Sequence, residues 1–270
     1  MESRYNAAKN VFIDSIDVDD YIELDASKNA YDQLLHSMEK PVKMILVFGR
    51  PGTGKSILLN HLYQNLKYQK DIHYFETPAT SEKEFFQKLF KIITKKELPR
   101  HTRVNFSVLV EYCKTLRGKR DIVILLDEAQ MYSGEMMERI RLLSDTRALK
   151  FVVSLHKTDN EELIAKEHFQ SRIWEVVELK NAMLPDAQNY IHKKLLKKNL
   201  FEIANMIKAP HIKLIHKLTK GNYRETNKLL FTVFELYEYY DKNDPSKINY
   251  DRFSKKIIEM AGIKLGFIDV

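Results

Sequence analysis

Residues Gly49 to Ser56 form a glycine-rich stretch, GRPGTGKS, whose residue types and spacing suit the binding of a polyphosphate. The stretch fits the pattern G-x-x-x-x-G-K-[ST] and lies between a short apolar run and the helical segment SILLNHLYQNL, which is the context that the pattern requires. Glycines let backbone N–H groups approach phosphates closely, and the amino terminus of a helix adds partial positive charge. We therefore predict a nucleotide-binding loop.

Two side chains of this loop have specific expected roles. Lys55 is expected to reach the β and γ phosphates, and the Ser56 hydroxyl to ligate Mg²⁺. On this motif alone, a glycine-rich turn that fits the short pattern by chance stays open as an alternative. The predicted nucleotide-binding residues of the loop are Gly49, Pro51, Gly52, Thr53, Gly54, Lys55, Ser56 and Ile57.

A pair of acids follows another apolar run, in the segment DIVILLDEAQ. Asp127 stands at the carboxyl end of the predicted strand, where it is expected to hold the Mg²⁺ shell, and Glu128 is expected to take a proton from the attacking water. An acidic solvated turn is the alternative. Because the chain lacks the base-reading N-K-x-D of Ras-like GTPases, we predict ATP as the nucleotide.

Composition and charge limit the function classes further. The chain has one cysteine, Cys113, expected to be a buried thiol, and its longest apolar runs are strand-sized, far short of the roughly 20 residues of a membrane helix. The amino terminus lacks the order of a secretory signal, so we predict a cytoplasmic protein without membrane insertion. Residues 191–220 contain eight lysines and one glutamate, a net charge of +7 (8 − 1 = +7). This segment therefore accounts for the net charge of the whole chain, which is also +7.

The apolar pattern predicts an α/β fold. Short apolar runs alternate with helical stretches, which favours a parallel sheet covered on both faces, and after residue 185 the pattern is helical throughout. We expect an N-terminal arm (1–25), a nucleotide-binding αβα domain (26–180) and an all-helical domain (186–270). The five predicted strands are residues 44–48, 72–76, 122–126, 151–155 and 173–179.

The chain resembles the AAA+ ATPases of the ExeA (GspA) type, P-loop NTPases related to the transposition ATPases TniB and MuB. The resemblance runs from about Tyr21 to about Leu236 and is carried by GRPGTGKS, FETPATSEKEFF, LLDEAQMYSGEMMERIRLLSD, EELIAKEHFQSRIWEVVEL and GNYRETNKLL. It implies that the helical domain is an AAA+ lid. It also implies an ATPase that forms a homo-oligomer when ATP is bound.

The resemblance assigns further site residues by position. The end of the fourth strand reads the γ-phosphate in such ATPases; Ser154, Leu155, His156 and Lys157 hold that place, and His156 is the preferred candidate. Arg172 corresponds to an arginine finger that acts in the neighbouring subunit, with a surface ion pair as the alternative. Arg224 matches the sensor 2 arginine of the lid. Relatives pack the adenine near the positions of Tyr21 and Ile22.

Three functions are compatible with these patterns. The first is an assembly motor or switch for an envelope machine, such as a secretion, pilus or DNA-uptake system, acting with a protein partner. The second is a DNA-binding ATPase of the transposition type, contacting phosphates through Lys193, Lys194, Lys197 and Lys198, which could equally form a solvated face. The third is a sensor that binds nucleotide with little turnover. ExeA proteins usually continue into a membrane span and a peptidoglycan-binding domain, whereas this sequence ends at Val270 without them.

Overall fold

The computed structural model describes residues 3–15, 17–97, 103–156 and 172–269. The chain divides into two compact units, here called the sheet unit and the helical unit. The sheet unit comprises Asn29–Arg50 and Lys55–Leu179, and the helical unit comprises Met1–Lys28, Pro51–Gly54 and Lys180–Val270.

Among the described residues, the sheet unit has five parallel strands, as the apolar pattern predicts, and the structure places them in the order β2-β3-β4-β1-β5. β3 is buried along its whole length because helices cover both faces of a parallel sheet. This order puts β1 and β3 on either side of β4, with their carboxyl ends at one edge. The strands are β1 (Met44–Gly49), β2 (Asp71–Phe75), β3 (Ile122–Leu126), β4 (Leu149–His156) and β5 (Ile173–Leu179).

Helices alternate with these strands and bury one apolar face each. In α4, for example, Phe85, Leu89 and Ile93 are completely buried, at the spacing of four that places side chains on one helical face. The predicted buried thiol of Cys113 is confirmed on α5. The helices are α2 (Asp25–Glu39), α3 (Lys55–Leu66), α4 (Glu82–Thr94), α5 (Phe106–Leu116) and α6 (Gly134–Asp145).

The helical unit has its own core. The first helix packs on the longest one, with the rings of Tyr5 and Tyr237 stacked at 4.8 Å and those of Phe12 and Phe234 at 5.8 Å. Within the described ranges, no helix has both the length and the apolarity to cross a membrane. The helices are α1 (Arg4–Val11), α7 (Leu184–Lys197), α8 (Phe201–Met206), α9 (Ala209–Thr219), α10 (Tyr223–Asn243) and α11 (Lys255–Lys264).

Candidate nucleotide site

The glycine-rich loop joins β1 to α3, and its backbone requires glycine at two positions. Gly52 has φ +79° and Gly54 has φ +92°, in the region that L side chains rarely adopt. A Cβ on Gly52 would lie 2.3 Å from Oδ1 of Asn222 and 2.7 Å from Cβ of Arg224. The Asn222 amide also donates a hydrogen bond of 2.8 Å to the Pro51 carbonyl. The segment Pro51–Gly54 is thus shaped by the start of α10 within the helical unit.

Lys55 is the first residue of α3, and its position fits a phosphate-binding lysine. The side chain is buried, and its ammonium donates hydrogen bonds to the carbonyls of Gly49 at 2.9 Å and Arg50 at 3.0 Å. A positive charge is therefore held against the loop at the amino terminus of a helix, where anions are stabilised. Ser56 and Ile57 follow in the first turn of α3.

Asp127 follows β3, and a tyrosine that the sequence analysis missed connects it to α3. The Tyr74 hydroxyl lies 3.2 Å from Oδ2 of Asp127 and 3.4 Å from the backbone oxygen of Ser56. Burial and then the adjacent Asp127 carboxylate raise the pKa of Tyr74, so its hydroxyl stays protonated and can donate. Asp127 itself is 2% exposed and accepts a hydrogen bond from the Glu128 backbone N–H. The Tyr74 hydroxyl therefore contacts both residues that are predicted to bind the metal, Asp127 through its carboxylate and Ser56 through its backbone oxygen.

Glu128 stands next to Asp127 in a left-handed conformation with φ +47°. Its side chain is 45% exposed, whereas Asp127 is buried. Nε2 of His156, at the end of β4, lies 4.0 Å from Oε1 of Glu128, while Nδ1 of the same ring lies 3.4 Å from the Gln130 amide. The predicted base and the preferred candidate at the end of β4 are thus neighbours.

The other candidates at the end of the fourth strand are placed differently. Ser154 and Leu155 are buried in β4. Lys157 lies outside the described residues, as does the EELIAKEHFQS part of the segment that carries the resemblance.

Arg172 occupies an ion-pair cluster in its own sheet unit. Its guanidinium lies 3.5 Å from Oδ2 of Asp145, which also binds Lys43 at 2.6 Å and Arg141 at 3.0 Å. Burial acts to raise the pKa of Asp145, but the hydrogen bonds from Lys43 and Arg172 hold that pKa below its ordinary value. In the single chain, Arg172 therefore adopts the ion pair that the sequence analysis left open as an alternative.

Arg224 lies in the first turn of α10, beside Gly52. Asn222 caps this helix by accepting a hydrogen bond from the Glu225 backbone N–H. The Arg224 guanidinium pairs with Asp14 at 3.0 Å, and both side chains are about half exposed. The sensor 2 candidate is thus adjacent to the glycine loop and carries an acidic partner from the N-terminal segment.

The lysines of α7 do not form the exposed stripe that the spacing suggests. Lys194 is 5% exposed, with its ammonium 5.7 Å from the Phe12 ring and 5.5 Å from the Tyr190 ring, and burial lowers its pKa. Lys194 shares a helical face with Ile191 and Leu195, which are buried too. The expectation that Lys194 contacts DNA is therefore wrong, since a covered ammonium cannot reach a phosphate.

Two other lysines of α7 bind the segment predicted to lie near the adenine. Lys193 donates to the Glu23 carbonyl at 2.7 Å, and Lys197 donates to the Tyr21 carbonyl at 3.3 Å. Tyr21 and Ile22 are both half-buried, and the Tyr21 hydroxyl contacts Ser27. Of the four predicted DNA contacts, Lys193, Lys197 and Lys198 are exposed, and Lys194 is buried.

Comparison with known proteins adds a family and a fold. Residues 39–163 match the family model described as AAA domain. No curated protein matches the chain with significance.

Several solved structures share the fold at low identity. The chain is similar to the Aeropyrum pernix ORC2 protein in its ADPNP–ADP complexes, at 15% identity and a TM-score of 0.60, covering 94% of this chain and 71% of that one. It is similar to the Walker-type ATPase PABY2304 of Pyrococcus abyssi at 18% identity and a TM-score of 0.56, covering 95% and 77%. Domain III of the Thermotoga maritima replication initiation protein DnaA gives 16% identity and a TM-score of 0.53, covering 91% and 95%.

These findings confirm the predicted fold class, and the AAA-domain match supports ATPase activity. The ExeA type stays a prediction. Residues 39–163 thus match an AAA domain, and the chain as a whole shares with these solved structures an α/β fold with a helical C-terminal region.

Proposed function

We propose that this protein is a Mg²⁺-dependent ATPase that assembles when ATP is bound and acts as a motor or switch for an envelope machine. The observation that carries the ATPase proposal is the Tyr74 hydroxyl, which contacts both Asp127 and the Ser56 backbone. It supports a metal site formed by the Ser56 hydroxyl and the Asp127 carboxylate, next to the glycine-rich loop. When bound, Mg²⁺ supplies charge neutralisation of the phosphates.

The chain's own residues account for the chemistry as follows. Lys55 and the loop N–H groups bind the β and γ phosphates, and the buried Asp127 would hold the metal together with the Ser56 hydroxyl. Glu128 accepts a proton from water, the water oxygen forms a bond to the γ phosphorus, and the bond from that phosphorus to the bridging oxygen of ADP breaks. Arg224, beside Gly52, is proposed to sense the γ-phosphate. His156, at 4.0 Å from Glu128, is proposed to orient this base.

Phosphate release by the purified protein with Mg²⁺ and ATP tests this proposal. We expect Glu128→Gln to reduce turnover by roughly 10²- to 10⁴-fold, the usual contribution of a general base, while ATP binding persists. Glu111→Gln, on an exposed face of α5, is the matched control and should leave turnover unchanged. Unchanged turnover in Glu128→Gln would show that another group is the base, and wild-type protein that binds ATP with hardly any turnover would favour the sensor function.

The assembly part of the proposal has its own test. Light scattering or analytical ultracentrifugation of the Glu128→Gln variant with ATP should give a larger species than the same protein with ADP. Affinity capture in that ATP state should retain a protein partner from an envelope machine. A monomer at every concentration of protein with ATP would remove the basis for a motor.

A DNA-binding ATPase of the transposition type is the second candidate. Lys193, Lys197 and Lys198 are exposed on α7, although two of them also donate to backbone carbonyls. Because these lysines are exposed, they are able to contact DNA phosphates. Affinity for DNA that depends on such contacts should fall steeply as the salt concentration rises. Anisotropy titration with duplex DNA at several salt concentrations tests the candidate, which is excluded when no affinity appears at low salt.

A further inference from the structure

We propose that the sheet unit binds a short stretch of single-stranded nucleic acid in a groove along the open side of β2. β2 is the outermost strand, and among the described residues no strand pairs with its free side. A groove of about 480 Å³ follows this side and lies between α3 and α4. It is separate from the glycine loop, so the inference does not depend on the proposed ATPase activity.

Three lysines line one wall of the groove. Lys88, Lys91 and Lys95 are exposed and spaced by three and four residues, which places them on one face of α4 and its end. Lys91 forms an ion pair with Glu97, and the Lys88 ammonium lies 4.1 Å from the Phe75 ring. The row covers about 10 Å at a rise of 1.5 Å per residue, which is long enough to contact more than one phosphate of a strand.

One acidic residue, Asp71, also lines the groove, but it does not neutralise the charge of the three lysines. Asp71 accepts two hydrogen bonds from the Arg120 guanidinium, at 3.1 Å and 2.5 Å, and lies 2.9 Å from Nε2 of His73. Burial acts to raise the pKa of Asp71, but Arg120 and His73 hold it below its ordinary value. Since Arg120 neutralises Asp71, the three lysines leave the groove with an excess of positive charge.

Aromatic rings favour a single strand over other polyanions. Tyr63 and Tyr74 line the groove with their ring centroids 5.9 Å apart, and Ile92 adds apolar surface. A row of lysines beside aromatic rings is the composition with which proteins bind single strands, because the lysines follow the phosphates while unpaired bases stack. A duplex keeps its bases stacked internally, so it would gain the lysine contacts alone.

Anisotropy of a short labelled oligothymidylate, titrated without nucleotide at several salt concentrations, tests the proposal. We expect the triple variant Lys88→Gln, Lys91→Gln and Lys95→Gln to lose affinity at least tenfold and to reduce the slope of log affinity against log salt by about two, at about 0.7 per phosphate. The matched control removes the same charge from exposed positions of the helical unit by Lys242→Gln, Lys247→Gln and Lys264→Gln. That control should bind as the wild type does.

A stacking variant, a test of folding and two competing ligands complete the experiment. Tyr63→Leu should weaken binding roughly tenfold with an unchanged salt slope, because it removes stacking and no charge. Circular dichroism confirms that each variant is folded, and Lys91→Gln alone replaces the triple variant should that one unfold. Equal binding by the α4 variant and the wild type, an equal loss in the control variant of the helical unit, or tighter binding of duplex or tripolyphosphate would each overturn the proposal.

Discussion

The hydroxyl of Tyr74 and the carboxylate of Asp127 lie 3.2 Å apart, on neighbouring strands of the sheet. Asp127 is buried, so each hydrogen bond to its carboxylate affects how firmly the side chain is held. The same hydroxyl contacts the Ser56 backbone, which makes Tyr74 a positioning residue for both predicted metal ligands.

Removing that hydroxyl should weaken the use of Mg²⁺. In Tyr74→Phe we expect the Mg²⁺ concentration for half-maximal turnover to rise about tenfold, since a hydrogen bond to a charged group contributes about 1.5–3 kcal/mol, whereas turnover at saturating Mg²⁺ changes less. Turnover measured across a Mg²⁺ series checks this. Tyr63→Phe, on the adjacent ring, is the control, and a fall in turnover without any change in Mg²⁺ dependence would contradict the positioning role.

A methyl group on the glycine loop should disrupt it. Gly52→Ala places Cβ against Asn222 and Arg224 at a positive φ, so we expect the free energy of unfolding to fall by about 2 kcal/mol or more, together with loss of nucleotide binding. Gly118 also has a positive φ but open space around it, so Gly118→Ala measures the backbone strain alone. Urea unfolding of both variants checks the difference, and equal losses would mean that the contacts with α10 are unimportant.

The ion pair between Asp14 and Arg224 should compete with nucleotide for the arginine. Asp14→Asn releases the guanidinium, so we expect ATP affinity to rise by up to about fivefold, in keeping with about 0.2–1 kcal/mol for an exposed pair. Calorimetric titration with ATP checks this, and Asp17→Asn in the same segment is the control. Tighter binding in Asp14→Asn that persists when Arg224→Ala is added would show that the pair is not the cause.

The two possible roles of Arg172 predict different results when subunits are mixed. An arginine that acts in the neighbouring subunit should let Arg172→Ala and Glu128→Gln proteins, each inactive alone, recover some turnover together. The contacts with Asp145 instead predict a loss of stability in Arg172→Ala that is fully present above the ordinary pKa of an aspartate. This loss disappears as pH falls through the lowered pKa of Asp145 in the folded state. Phosphate release by the mixture and unfolding at several pH values measure the two effects separately.

The buried Lys194 should limit stability at neutral pH. Burial lowers the pKa of Lys194, so its charge opposes folding most strongly below the pKa of the folded state. This penalty disappears as pH rises from that pKa to the ordinary pKa of a lysine. We expect Lys194→Met to keep the packing on Phe12 and to raise the free energy of unfolding by about 1 kcal/mol at neutral pH, with no effect on DNA affinity. Urea unfolding checks the first result and anisotropy the second. Lys198→Met is the exposed control.

Motifs and strand patterns in the sequence predict the sheet and the phosphate loop because both depend on local order. GRPGTGKS and the apolar runs are contiguous, so their positions follow from neighbours in the chain. The burial of Lys194, by contrast, does not follow from its neighbours in the sequence. Spacing alone puts it on a stripe with three other lysines, but its surroundings depend on Phe12, which is distant in sequence. Tyr74 was missed for the same reason, since nothing in IHYFE indicates which strand end lies beside it.

The side chain of Tyr74 contributes to two different sites. Its ring forms part of the groove along β2, and its oxygen touches the carboxylate after β3. A substitution that removes the ring at position 74 therefore changes both sites at once, whereas Tyr74→Phe removes only the oxygen. Lysine variants on α4 and carboxylate variants at 127 are the pair of tools that separates the two.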